Sequence, residues 1–498
     1  MAWLTKSRFL SGLQCAKRLW MEVHAPLEER AADTLPLANG RALDRLVQTL
    51  APGPVIARDA GMPAAIAATT RLLRTGAPPV VYQPAFRAGE LAVVADILRH
   101  HRGSRTLVEV KSGTSVKPEY LGDVAFQALV LRQARVAADR VMVAHIDPRF
   151  RLERAGDYDG LVFEQDVTGE VEEALPGIAD AAAGHIGIMA AAARPRVAMG
   201  GHCRVPYECP FTERCRAEIG PVPDYPVTLL PRGGRRAGQL AAEGYEDLMQ
   251  VPAERLDSAL HRRVHAATLS GEPYFDARAT AALRRLEPPL AYLDFETIGL
   301  AVPELLGTAP YEHVPFQFSV HVEEADGTLR HHEFLAIDTF GDLDALAAAL
   351  LAALPASGPV FAYNAPFERG VLERLASRLP ARANALREAA ARLFDLLPVT
   401  RAAWYHRDMK GSWSIKAVLP TIAPDLDYGQ LGAVREGEGA QLAFLRLREL
   451  APDSAERVRL ERDLKVYCER DTYGLVVLRR FLCGGGGAGA GTGADGGR

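Results

Sequence analysis

Apolar positions along this chain change period several times, and each change marks an element. Leu4-Thr5-Lys6-Ser7 reads as a helix start ahead of Phe9, Leu10, Leu13, Leu19 and Trp20, so residues 1–50 are expected to be helical. Within that stretch, 40–50 continues as a second helix carrying Asp44. Residues 91–98 and 106–110 predict two strands, joined by a polar turn at Arg102-Gly103-Ser104. A helix over 116–136 and a buried strand over 141–146 follow. Mixed α/β content therefore extends to about residue 217.

Residues 221–236 combine three prolines with Pro231-Arg232-Gly233-Gly234 and predict a linker, followed by helical connector segments to about Arg285. Pro288-Pro289 marks a new start. Strands are expected over 290–295, 317–323, 329–336 and 360–363, with helices over 343–354, from Pro366, and over 455–482. Gly484 to Arg498 is a glycine-rich tail expected to be disordered. The predicted fold class is α/β throughout, with domains at 1–217 and 288–483, a linker and connector over 218–287, and the tail at 484–498.

Length and composition agree with this division, since 498 residues suffice for two or three domains. No apolar run reaches the roughly 18–20 residues that span a bilayer, and no secretory core follows the N-terminal residues. The expectation is a cytoplasmic protein without a membrane partner. A formal net charge of −4 supplies no global field for nucleic acid, which leaves a local basic channel as the route to it. Lysine is scarce, seven of 58 basic residues, so Lys111 and Lys416 stand out against an arginine-rich background.

Leu107-Val108-Glu109-Val110-Lys111 is apolar on both sides of Glu109, as in a strand covered on both faces. Glu109 and Lys111, two apart, share a face, and Asp96 is expected on the preceding strand of the hairpin. Two buried carboxylates require a cation or strong hydrogen bonds, so a divalent ion on Asp96 and Glu109, with Lys111 polarising water or stabilising the developing phosphorane charge, is one account. A structural salt bridge to Lys111 is the other.

Cys203-x5-Cys209-x5-Cys215, completed by Cys15, forms a set of four thiols suited to a [4Fe–4S] cluster or to structural zinc. Cys468 and Cys483 read as ordinary thiols. Further along, Asp294 and Glu296 end an apolar strand on one face, and Tyr467 and Asp471 share one side of a helix at i and i+4. Asn364-Ala365-Pro366-Phe367-Glu368 reads as strand end, turn and helix start. Four acids from strand and helix would hold two ions about 3.5–4 Å apart, with Tyr467 orienting water. Asp395 follows a strand-like run as a structural acid. Gly411-Ser412-Trp413-Ser414-Ile415-Lys416 reads either as a turn and cap or as a phosphate site at Lys416 with Trp413 stacking on a base.

These motifs resemble two nuclease families. Asp96, Glu109-Val110-Lys111 and Gln127 in Ala125-Phe126-Gln127 are similar to the RecB-like branch of PD-(D/E)XK nucleases. Leu4 to Phe9 with Cys15 resembles its cysteine-bearing members, including the CRISPR spacer-acquisition nucleases. That resemblance implies a restriction-endonuclease-like domain with Asp96 and Glu109 as ligands, Lys111 catalytic, Gln127 near substrate, and a [4Fe–4S] cluster on the four cysteines. Leu131 stands where the family's Gln-x-x-x-Tyr motif has tyrosine, and Asp44 where it has His or Glu. The second set resembles the DEDD exonucleases of RNase H-like fold, in the DnaQ-like group and its Tyr-x-x-x-Asp variant. It implies Mg²⁺ or Mn²⁺ on Asp294, Glu296, Glu368 and Asp471, with Glu368 where that family has Asp. The whole order resembles an uncharacterised bacterial family that fuses the two. A metal-dependent nuclease with a 3′–5′ exonuclease-like second domain is thus expected, acting on DNA ahead of RNA in repair, recombination or defence. A nucleic-acid-binding scaffold with degenerate sites is the alternative.

Overall fold

The computed structural model describes residues 2–27, 34–430, 432, 434 and 436–485. The glycine-rich tail falls, from residue 486 onward, outside the described residues. The chain folds as mixed α/β in two compact units, Met1–Pro221 with Gly299–Glu312, and Val222–Ile298 with His313–Arg498. Among the described residues no helix is long and apolar enough to cross a membrane.

The first unit opens with β1 (Leu4–Thr5), α1 (Lys6–Gln14), α2 (Ala16–His24), α3 (Leu35–Leu50) and α4 (Met62–Gly76). Thr5 caps α1 through its side-chain oxygen. The expected run of helix breaks at Cys15, whose extended backbone separates α1 from α2. Strands β2 (Val80–Tyr82), β3 (Ala85–Ala88), β4 (Leu91–Val94), β5 (Ile97–His101) and β6 (Ser104–Lys111) precede α5 (Pro118–Gln133), β7 (Arg140–Ile146), β8 (Val162–Asp166), α6 (Thr168–Ala190) and α7 (Thr212–Ile219). The main sheet has the order β2-β5-β6-β7-β8, and a small sheet has β1-β4-β3. β5 and β6 form the expected antiparallel pair, with Ile97 opposite Val108. β6 and β7 are parallel, so α5 is the crossover that parallel strands need. α5 is buried from Asp123 through Leu131, and Phe126 stacks on Phe9 at 4.4 Å.

The expected strand over 91–98 divides. Ala95 and Asp96 lie between β4 and β5, which belong to different sheets. The Gln83 amide donates to the Asp96 carbonyl at 2.8 Å and the Ala95 amide to Pro84 at 3.0 Å, which turns the chain from one sheet into the other.

The second unit begins with α8 (Gly234–Ala242), α9 (Ala259–Ser270) and β9 (Tyr274–Phe275). It continues through β10 (Leu290–Gly299), β11 (His313–Glu323), β12 (Leu329–Leu335), α10 (Leu343–Ala353), β13 (Val360–Ala362), α11 (Pro366–Arg378), α12 (Ala383–Ala391) and β14 (Leu393–Asp395). α13 (Leu396–Ala403), β15 (Trp404–Tyr405), α14 (Ile415–Val418), α15 (Gly437–Glu449) and α16 (Ala455–Cys483) complete it. The sheet order is β12-β11-β10-β13-β14, with β10, β13 and β14 parallel and β11–β12 an antiparallel hairpin. Leu293, Phe295, Phe318, Val320, Leu346, Leu350, Val371 and Leu375 fill the core between sheet and helices. α16, capped by Ser454, packs against β11 and carries Tyr467 and Asp471 to the strand that holds Asp294 and Glu296.

Candidate metal centres

In the first unit β6 presents Glu109 and Lys111, and α5 presents Asp123 and Gln127 four residues apart on one face. Lys6 enters from the first turn of α1. The Lys111 ammonium lies 2.6 Å from Glu109 Oε1 and 2.5 Å from Asp123 Oδ2. Lys6 donates to the same Glu109 oxygen at 2.8 Å, and Gln127 Nε2 to Glu109 Oε2 at 2.6 Å. Burial alone would push the Glu109 carboxyl up, but Lys6 and Lys111 more than reverse it and hold it below the usual carboxylate range.

Asp96 is treated differently. Its Oδ2 accepts the Val110 amide at 2.8 Å, and no ammonium reaches within ion-pair distance of it among the described residues. Burial first, then Glu109, pushes its carboxyl well up. Asp123 and Asp44 are shifted up for the same two reasons. Asp44 therefore does belong to this neighbourhood. Gln127 is fully buried; its Nε2 donates to Glu109 and Asp123 and so orients both carboxylates, while its Oε1 has no hydrogen-bond partner. Lys6 and Asp123 escaped the sequence reading. The Leu4-Thr5-Lys6 start signal and the Asp123-x3-Gln127 spacing were the available clues.

The four cysteines converge. Cys15 sits at the α1–α2 break, Cys203 closes a short turn whose carbonyl accepts the Cys209 amide at 2.8 Å, and Cys215 lies in α7. All four are free thiols lining one cavity with Met21 and Met199, and Lys17 and Arg18 stand at its edge. Among the described residues, sets of three metal-ligating atoms within 4.8 Å of one another occur twice, and neither set includes a cysteine. Four sulfurs on one tetrahedral zinc would lie about 3.8 Å apart at Zn–S of about 2.3 Å.

One of those sets is Asp294, Glu296 and Asp471 in the second unit. Two full negative charges about 5 Å apart repel by roughly 3 kcal/mol at an effective dielectric near 20. The electrostatics reflect this: Asp294 and Glu296 are pushed well up by burial and then by Asp471. Asp471 is pushed up to about 6 by burial, against the hydroxyls of Tyr428 and Tyr467 and the charge of Lys416. The Tyr428 hydroxyl donates to Asp471 Oδ1, and Lys416 Nζ lies 5.3 and 5.0 Å from the ring centroids of Tyr428 and Tyr467. Glu368, on the first turn of α11, is 3% exposed and its Oε2 has no hydrogen-bond partner. Its charge acts on Asp294, although it lies outside the 4.8 Å set.

Residues 291–414 match a family described as a domain of unknown function (DUF2779). No curated protein matches the chain. The matched stretch carries Asp294, Glu296 and Glu368, and ends before Lys416, Tyr428, Tyr467 and Asp471.

Two further residues fall differently from expectation. Trp413 is 5% exposed, with its indole N–H on the Trp404 carbonyl at 2.8 Å, so its ring is core and offers no surface to a base. The segment around it is a turn and cap: Gly411 has φ of +75° and Ser414 caps α14. Cys468 is no ordinary core thiol, since its Sγ lies 3.9 Å from Asp294 Oδ2. Asp395 caps α13 through the Leu397 amide at 3.0 Å and also accepts the Asn364 amide, a structural role as expected.

Proposed function

We propose that the protein is a metal-dependent nuclease whose second unit removes nucleotides from the 3′ ends of DNA. The observation that carries this is the convergence of Asp294, Glu296 and Asp471 from a strand and a facing helix. Three buried or half-buried carboxylates held together, with the buried Glu368 beside them, are costly without counter-charge, so the donor set fits hard divalent cations. Mg²⁺ or Mn²⁺ bound by Asp294, Glu296 and Asp471, joined by Glu368, would activate water and offset charge building on a phosphate. Tyr467 and Tyr428 hold Asp471 in place through their hydroxyls. Lys416 supplies the positive charge nearest the acids, suited to steadying a phosphate.

For the first unit we propose a second phosphodiesterase centre on Asp96, Glu109 and Lys111, within a restriction-endonuclease-like domain. Asp96, half-buried and with no ammonium at ion-pair distance among the described residues, is the group that calls for a cation. The four cysteines fit a [4Fe–4S] cluster better than zinc, because a polynuclear cluster spreads its thiolates wider than a single tetrahedral ion does. Six free thiols suit a reducing, cytoplasmic setting.

One observation favours a second reading for the first unit alone. Both Glu109 oxygens are already engaged by Lys6, Lys111 and Gln127, the pattern of a binding module held by ion pairs.

The test is Mg²⁺- or Mn²⁺-dependent digestion of end-labelled single-stranded DNA and RNA by anaerobically purified protein. Stepwise 3′ shortening abolished by Asp294→Ala is the expected result. Cleavage that Lys111→Ala then removes assigns the first unit a reaction; cleavage indifferent to Lys111→Ala leaves it a binding module. Intact, folded protein that cuts neither substrate with either metal overturns the nuclease reading.

A further inference from the structure

The second set of converging ligand atoms comes from His321, His331 and Glu469. His321 on β11 and His331 on β12 are direct cross-strand partners, and their rings stack at 4.6 Å. Glu469 of α16 reaches the pair from above. One ring nitrogen of each histidine and one Glu469 oxygen lie within 4.8 Å of one another. Glu469 is two residues from both Tyr467 and Asp471, so at about 100° per residue it points roughly 160–200° away from them. The cluster is therefore separate from the acidic centre.

Hydrogen bonds behind the rings decide which nitrogens face the cluster. Thr472 Oγ1 donates to the Glu469 carbonyl at 3.2 Å, which uses its only proton. It must then accept from its other two neighbours, Ser319 Oγ at 2.7 Å and His321 Nδ1 at 2.8 Å. Ser319 has given its proton to Thr472 and so accepts from His331 Nε2 at 2.9 Å. With the Thr472 proton on the Glu469 carbonyl, each histidine keeps a lone pair on its other nitrogen, Nε2 of His321 and Nδ1 of His331. His331 Nδ1 lies 3.8 Å from Glu469 Oε1, an acceptor facing an acceptor. At that separation the two groups are not hydrogen-bonded to each other, and a cation between them would be held by both.

We propose that His321, His331 and Glu469 bind one divalent transition-metal ion of the zinc class. Two imidazoles and a carboxylate are a borderline donor set that suits zinc over magnesium. Tetrahedral ligands about 2.1 Å from zinc stand about 3.4 Å apart, so the 3.8 Å separation needs only a small adjustment. Ser319 and Thr472 are the second-layer partners that orient ligating histidines. The Glu469 side chain is 50% exposed and, with His331, lines an open cavity, which leaves the fourth position to water. Such an ion would tie α16 to the β11–β12 hairpin, and α16 carries Tyr467 and Asp471.

The experiment is equilibrium dialysis of the full chain against Zn²⁺ with excess Mg²⁺ to fill oxygen-only sites, followed by metal analysis, for wild type, His331→Ala and Glu469→Gln. Both positions are partly exposed, and circular dichroism checks each fold. Each variant is expected to bind one fewer Zn²⁺ per chain, or to bind it at least about 10-fold more weakly. Co²⁺ substitution should show the lost ion without sulfur-to-cobalt charge transfer, which separates it from the cysteine set. Zn²⁺ stoichiometry and affinity equal in all three proteins would overturn the proposal.

Discussion

Glu368→Gln should stabilise the metal-free protein at alkaline pH and leave it unchanged at acid pH. Glu368 is buried with Oε2 unpartnered, and its carboxyl is pushed up to about 8 from an ordinary 4.5, chiefly by burial and then by Asp395 against its own backbone amide. A folded pKa above the unfolded one means that the fold prefers the proton. Stability from this group is fully present below about pH 4.5, declines as pH rises, and is lost above about pH 8. At 1.36 kcal/mol per unit the full loss is roughly 5 kcal/mol, and at pH 7 roughly 3 kcal/mol. Glutamine keeps the shape, stays neutral, and escapes that loss. For a unit of this size 3 kcal/mol corresponds to a rise of roughly 6–12 °C in melting temperature. Thermal unfolding in chelator, near pH 5 and near pH 8, with Trp404 and Trp413 reporting on the second unit, measures it. Wild type and variant should coincide at the lower pH and separate at the higher. A difference that is the same at both values would show that Glu368 ionises freely, and the argument from an unpartnered buried carboxyl would fail.

Other expectations follow from the same contacts. Lys6→Ala should destabilise the first unit by roughly 3–5 kcal/mol in urea unfolding, because the buried Glu109 loses one of its two ammonium partners. Gly411→Ala should cost several kcal/mol by the same measurement, since a Cβ there would clash with the Leu229 carbonyl and φ is +75°. Asp294→Asn should slow Mn²⁺-dependent 3′ shortening by roughly 10³-fold, the kinetic equivalent of several kcal/mol of metal-borne stabilisation, with circular dichroism unchanged.

Local pattern carried a good deal of this molecule. Strands β6, β7, β10, β11 and β12 and helices α5, α10 and α16 lie within a few residues of where apolar periodicity put them. The carboxylates Asp294, Glu296 and Asp471 were legible because strand alternation and the i, i+4 rule place neighbours on one face without reference to the rest of the chain. The cysteine quartet was legible from spacing.

What the sequence could not supply is which distant residues meet. Lys6 joins Glu109 across 103 positions, and Tyr428 joins Asp471 across 43, contacts that no local period encodes. Asp96 leaves its strand because two sheets diverge there, and Trp413 is core because Trp404 accepts its indole. His321 and His331 are ten residues apart in a hairpin, and only the strand register makes them opposite one another beneath Glu469. Residue type and period determine which faces are apolar and which carry acids. Packing, burial and register decide which of those acids must share a charge.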